Sequence, residues 1–150
     1  MSDKFARLMA TWFYVGDFPV APGTMASAVG MLICFILSAH PILYILFFVV
    51  ITYIGFRASD ITEGLVGTKD PSCVVIDEVA GVMIAFFLLP VTPPVFFTAF
   101  FLFRAFDMFK IYPVNKFEEM KGGVGIMMDD LFAGLYTNII MHLAIRFAGV

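Results

Sequence analysis

Between Phe18 and Phe56 the chain carries no charged side chain, and a second charge-free stretch runs from Val79 to Phe103. Segments of this kind are stable in hydrocarbon only if their backbone N–H and C=O groups are satisfied internally, and an α-helix does that within one segment. The chain is therefore expected to be all-α, a polytopic helical membrane protein. Its bulk composition agrees: 61% of the residues are hydrophobic and 14% are charged, against roughly 25% charged in soluble domains.

Prolines divide the apolar stretches. His40-Pro41 falls near the middle of the first and Thr92-Pro93-Pro94 interrupts the second, as turns between helices would. The reading is a hairpin of helices at about Met25–Ala39 and Ile42–Arg57, then a polar loop from Ala58 to Ser72. A second hairpin, the polar segment Arg104 to Gly125 and an apolar helix at about Met127–Phe147 follow. Residues 1–150 thus form a single integral membrane domain of about four to five spans, two hairpins plus a C-terminal helix. The first span and the one at Val95–Phe106 fall short of the roughly 20 residues a full crossing takes, which calls for tilting or extension by their neighbours.

Charge sets the orientation. Neither hairpin tip carries Lys or Arg, whereas Lys4, Arg7, Arg57, Lys69, Lys110, Lys116 and Lys121 all fall at the other end of the spans. By the positive-inside rule that end is cytoplasmic. The net charge of -3 is too small to point to a partner, and with no basic cluster or base-stacking aromatic pattern no nucleic-acid partner is expected, only the lipid bilayer. Met1 to Pro19 lacks the long apolar core of a signal peptide and reads as an amphipathic lead-in. Cys34 and Cys73 lie far apart in or beside apolar runs, with neither a disulfide framework nor metal-ligand spacing.

Within this apolar background the carboxylates are conspicuous. Asp77-Glu78 sits inside CVVIDEVAGVMIAFF and Asp129-Asp130 inside GGVGIMMDDLFAG. An unpaired carboxylate out of water costs several kcal/mol, so each pair calls for a metal ion, a basic partner or a bound proton. Alternatively, Asp77 and Glu78 favour a helix N-terminus through its dipole, and Asp129 caps one. Gly81, one turn past Asp77, would let a partner backbone or ligand come close.

Two further segments could complete a phosphate site. In LFRAFDMFKIYP, Arg104 and Asp107 share a helix face at i, i+3 with Lys110 a turn beyond; two cations could hold a phosphate while Asp107 holds a metal, or Arg104 and Asp107 could simply pair. Gly122, Gly123 and Gly125 form a turn whose N–H groups, Gly123 among them, could face an anion; Asp129 and Asp130 beyond it would hold Mg²⁺, which binds one or two carboxylates together with substrate phosphate oxygens. Thr24 after Pro22-Gly23 reads as an N-cap that could also touch phosphate. His40 and His142 are remote from every acid pair. No histidine is positioned as nucleophile, and neither cysteine is followed by an Arg six residues on, since His40 and Val79 stand there.

Taken in order, APGT at 21–24, IDEVAG at 76–81, FRAFDMFKIYP at 103–113 and GGVGIMMDD at 122–130 resemble the phosphatidylglycerophosphatase A family, bacterial inner-membrane lipid phosphatases. The family's Lys-Pro-x-Pro reads Lys110-Ile111-Tyr112-Pro113 here. The resemblance implies Mg²⁺-dependent removal of the terminal phosphate of phosphatidylglycerophosphate to give phosphatidylglycerol, at the cytoplasmic face of a multi-pass inner-membrane enzyme. Together with the residue reading it implies that Asp77, Glu78, Asp107, Asp129 and Asp130 hold one or two Mg²⁺ ions. Asp77, Glu78, Asp129 and Asp130 then supply the catalytic carboxylates, and Thr24, Arg104, Lys110 and Gly123 contact the substrate. Attack by water and attack by a carboxylate both remain open. The rival expectation is a small transporter or channel component whose carboxylates relay protons or cations, which would place the acids at mid-membrane.

Overall fold

The computed structural model describes residues 1–117 and 119–148, and among them every regular element is helical. The helices are α1 (Asp3–Ala10), α2 (Pro22–Leu37), α3 (Pro41–Val66), α4 (Ile76–Phe86), α5 (Pro93–Phe109), α6 (Val114–Phe117) and α7 (Gly122–Ala148), with a 3-10 turn at Val15–Asp17. Three of them, α2, α3 and α5, open on proline at the first helical position. There the missing N–H is not needed and the fixed φ favours the helix.

The expected order of helices is present, but two boundaries need correction. Helix α3 continues to Val66, well past the expected end at Arg57, because Ala58, Ser59 and Thr62 are buried on its inner face. It stops at Gly67, whose φ of 75 is the left-handed C-cap conformation and whose N–H bonds back to Glu63. Helix α7 begins at Gly122, so the glycines of the expected anion-binding turn are its first residues. Among the described residues, only α3, with 26 residues, and α7, with 27, are long and apolar enough to cross a membrane. Helices α2, α4 and α5 have 16, 11 and 17 residues. Two candidate spans are thus supported by length, and the expected four to five are not established by it.

Helix α4 is the centre of the bundle: α7, α2, α3 and α5 pack around it, and all its residues except Glu78 and Ile84 are buried. At about 16 Å it reaches only halfway through a hydrocarbon core of roughly 30 Å. Its last carbonyls would be left without partners there, and side chains of α3 and α7 supply them. Tyr44 Oη donates to the carbonyl of Met83 at 2.6 Å, and Asn138 Nδ2 donates to those of Ala85 at 3.2 Å and Phe87 at 2.9 Å. His142 Nε2 lies 3.1 Å from the Phe87 carbonyl. On the outside, large apolar side chains such as Leu32, Leu46, Val50, Phe101, Ile139 and Phe147 are exposed. Such a surface suits lipid.

Helices α4 and α7 come close enough for their backbones to meet. A Cβ on Gly81 would stand 2.6 Å from the Asp130 carbonyl oxygen, and one on Gly134 would overlap the Gly81 carbonyl. Gly64, by contrast, has nothing near it. Gly81→Ala and Gly134→Ala should each destabilise the protein by about 1–3 kcal/mol through overpacking. Gly64→Ala should stabilise it by about 0.5–1 kcal/mol. Thermal unfolding in detergent checks both directions; equal effects at the three sites would mean that the crossing is not tight.

Candidate active site

At one end of the bundle the start of α2, the start of α4, the end of α5 and the N-terminal part of α7 enclose a cavity of about 370 Å³. Asp70 and Ser72, in the loop between α3 and α4, close its side. The lining carries six carboxylates, those of Asp70, Asp77, Glu78, Asp107, Asp129 and Asp130, against two cations, Arg104 and Lys110. Sequence spacing explains how two acid pairs from separate helices meet. Asp77 and Gly81 are one turn apart on α4, as are Asp130 and Gly134 on α7, so the face that makes each glycine contact also carries an acid. When α4 and α7 touch at those glycines, Asp77 and Asp130 are brought to the same cavity.

The two cations are engaged with acids. Arg104 NH1 donates to Asp107 Oδ2 one turn along α5, lies 3.4 Å from Glu78 Oε2 on α4, and approaches Ser27 Oγ on α2 at 3.5 Å. Ser27 Oγ itself donates to Glu78 Oε2 at 3.1 Å. Arg104 therefore pins three helices, and the pairing with Asp107 anticipated at i, i+3 is made. Lys110 stands at the left-handed C-cap of α5, and its Nζ reaches Asp129 Oδ2 at 3.1 Å. The other oxygen of Asp129 accepts from the Asp130 backbone N–H at 3.0 Å. Asp77 and Asp130 have no cation partner among the described residues, and Asp77 Oδ1 is buried without a hydrogen-bond donor.

Nine of the residues singled out from the sequence can now be placed. Asp77, Glu78, Arg104, Asp107, Lys110, Asp129 and Asp130 all line the cavity, with Thr24 at its rim. Thr24 is not the N-cap of α2, because the helix starts two residues earlier at Pro22. Nor does Asp129 cap α7, in which it lies buried beyond the first turn. Asp77 and Glu78 do occupy the first turn of α4, where the helix dipole favours them. Gly123 is elsewhere: a Cβ there would overlap the Phe56 carbonyl of α3, and its N–H donates to Asp60 Oδ1 at 3.3 Å. Close packing on α3 explains that glycine, and the structure does not bring it to the acids.

Among the residues the sequence reading did not single out are the lining residues Asp70 and Gly23, and Ser27, which bonds to the lining acid Glu78. Ser27 lies one turn beyond Thr24 on the same face of α2, a spacing that could have revealed it. Asp70 reaches the cavity from a loop in which its own φ is 47, a path without a sequence signature. Gly23 was visible within APGT; a Cβ there would occupy the position of the Glu78 carboxylate, so this glycine lets that acid lie against the first turn of α2. Both cysteines are free, and burial together with the nearby Asp17 carboxylate pushes the Cys73 thiol up, away from a reactive thiolate.

The donor set suits a hard cation. Among the described residues no three acid, histidine or cysteine side chains converge as a ready-made metal cage. Mg²⁺ does not need one, since it usually keeps several waters and takes one or two carboxylates plus substrate oxygens. The buried and undonated Asp77 Oδ1 and the excess of carboxylate over cation are the features that fit it.

Comparison with known proteins gives concordant matches. Residues 8–145 match the model of the family described as phosphatidylglycerophosphatase A. Phosphatidylglycerophosphatase A of Escherichia coli is 33% identical over 139 residues, covering 91% of this chain and 81% of that protein. The enzyme of the same name from Haemophilus influenzae is 33% identical over 139 residues, covering 90% and 85%. A Bacteroides thetaiotaomicron protein provisionally named a phosphatidylinositol-3-phosphatase is 38% identical over 146 residues, covering 91% of each chain. No solved structure matches.

Removing Arg104 would leave Glu78 and Asp107 without their shared cation. Arg104→Ala should cost about 3 kcal/mol of stability, as expected when one partner of a mostly buried ion pair is deleted. Adding Glu78→Gln to that variant should recover part of the loss. A thermal melt of the single and double variants in detergent reports both, and a double variant no more stable than the single would contradict the pairing.

Proposed function

Because the chain belongs to the phosphatidylglycerophosphatase A family and is a lipid phosphatase, we propose that it hydrolyses the terminal phosphomonoester of phosphatidylglycerophosphate to phosphatidylglycerol with Mg²⁺. The observation that carries this reading is the cavity itself: six carboxylates and two cations from three helices and a loop, at the end of an apolar bundle. In a multi-pass bacterial inner-membrane protein oriented by its basic loops, that end faces the cytoplasm at the depth of lipid headgroups. The acids lie together at one end of the bundle, which argues against the ion-relay alternative.

The division of labour follows from the pairing. Asp77 and Asp130, which lack cation partners, would hold Mg²⁺, with Glu78, Asp107 and Asp129 beside them. When bound, the ion offsets the surplus carboxylate charge and makes a water molecule easier to deprotonate. Arg104 and Lys110 orient the phosphomonoester: each has N–H donors beyond those used on Asp107 and Asp129, and a phosphate between them gains charge-assisted hydrogen bonds. Ser27 fixes Glu78 and steers Arg104, and the exposed Thr24 hydroxyl lies where a phosphate oxygen could accept from it. A carboxylate freed from its cation takes the proton of the attacking water as its oxygen bonds to phosphorus, the P–O bond to the lipid breaks, and the proton passes to the departing alkoxide, so that phosphate and the lipid alcohol are released. Phosphoryl transfer depends chiefly on such positioning and charge stabilisation.

The test is phosphate release from phosphatidylglycerophosphate by the purified protein, with Mg²⁺ and with EDTA. EDTA should abolish turnover, Asp77→Asn and Asp130→Asn should each lower kcat/KM by at least about 100-fold, corresponding to roughly 2.7 kcal/mol, and excess Mg²⁺ should partly rescue them. Full activity in EDTA would sink the metal reading. Phosphatidylinositol 3-phosphate, the substrate in the name of the Bacteroides relative, belongs in the same assay; faster turnover of it would move the substrate assignment to inositol lipids.

A further inference from the structure

Helices α2 and α5 run antiparallel and meet at two places. At the cavity end Arg104 reaches Ser27 at 3.5 Å, and farther along Phe35 and Phe96 pack edge to face with ring centroids 6.2 Å apart. Eight residues separate Ser27 from Phe35 and eight separate Phe96 from Arg104, so the two contacts lie about 12 Å apart on both helices. An apolar groove of about 270 Å³ opens at the far contact, lined chiefly by Met31, Leu32, Phe35, Pro93, Phe96 and Phe97. Leu32 and Phe97 are more than half exposed there.

We propose that this α2–α5 seam is the acyl-chain site of the lipid substrate, entered sideways from the bilayer. The inference rests on the lipid-phosphatase reading and adds where the hydrocarbon part of that lipid lies. Arg104 stands at the head of the seam and also lines the acid cavity. A phosphate held by Arg104 therefore sits above a groove that leads down the outer face of the bundle. The lining is almost wholly apolar, so the groove selects hydrocarbon; at about 12 Å from the Arg104–Ser27 contact it lies deeper than a headgroup and within reach of acyl chains.

A second apolar groove competes for the role and fails on geometry. It lies between α3, α4 and α7, has about 370 Å³, and is lined by Ile45, Phe48, Met83 and Leu135 among others. Between it and the acids stands the α4–α7 crossing, where the Gly81 and Gly134 backbones leave no room even for a methyl group. No chain can pass there to reach the phosphate. On α2 the close glycine contacts, at Gly23 and Gly30, are made with α4 and not with α5.

Chain-length dependence tests the site. Leu32→Trp and Phe97→Trp crowd the groove at exposed positions, so the fold should tolerate them. With phosphatidylglycerophosphate of long and of very short acyl chains in mixed micelles, each variant should raise the ratio of long-chain to short-chain KM about fivefold over wild type, roughly 1 kcal/mol. Ile45→Trp, in the competing groove, should leave that ratio at the wild-type value. An unchanged ratio in both seam variants, or the same rise with Ile45→Trp, would overturn the seam as the acyl site while wild-type turnover of both substrates upheld the phosphatase reading. No phosphate release from either substrate by wild type would instead defeat the underlying reading.

Discussion

Helix α4 lies against α7 with backbone nearly touching backbone, at Gly81 and Gly134. In lipid there is no water to expel from between two helices, so association depends on close van der Waals packing, and small residues permit it. Asp77 and Asp130 each precede one of those glycines by a helical turn on the same face. The contact that holds the two central helices together therefore also sets which carboxylates face each other. Helix α5 then closes the group with Arg104 and Lys110, and α2 with Ser27 and Gly23.

Helix α4 pays for this placement with a broken span. Eleven residues carry its acids at one end and stop partway along the bundle at the other. The carbonyls left there are satisfied by Tyr44 of α3 and by Asn138 and His142 of α7. His142 thus has a structural setting remote from the acids. The polar ends of α4 consequently do different work: the C-terminal end is neutralised by hydrogen bonds, and the N-terminal end faces a cavity whose carboxylates outnumber its cations.

Much of this was legible in the chain. Charge-free stretches interrupted at Pro41 and Pro93 mark helices because hydrocarbon admits little else, and acids embedded in apolar sequence stand out because burial penalises them. Seven of the acids and cations chosen on that basis line one cavity. Helix ends were less legible. Residues 58–66 look polar, yet α3 runs through them because one face is buried, and periodicity over so short a segment was outweighed by the charges on the other. Of the glycines at 122–125, Gly122 does take a turn's left-handed φ of 74, whereas Gly123 and Gly125 serve close packing on α3 and on the preceding segment. Glycine marks both a bend and a near contact, and only the neighbour tells which.

By itself, the sequence determined that this chain would be a helical membrane protein with a few costly carboxylates, because transfer free energies act residue by residue and need no partner to be read. The tertiary structure alone decided which carboxylates meet, which cations are already committed to them, and that Gly123 stands apart while Ser27 and Asp70 take part. Those outcomes depend on where helices far apart in the chain cross, and a crossing is set by the fit of two surfaces, of which any one segment contains only half.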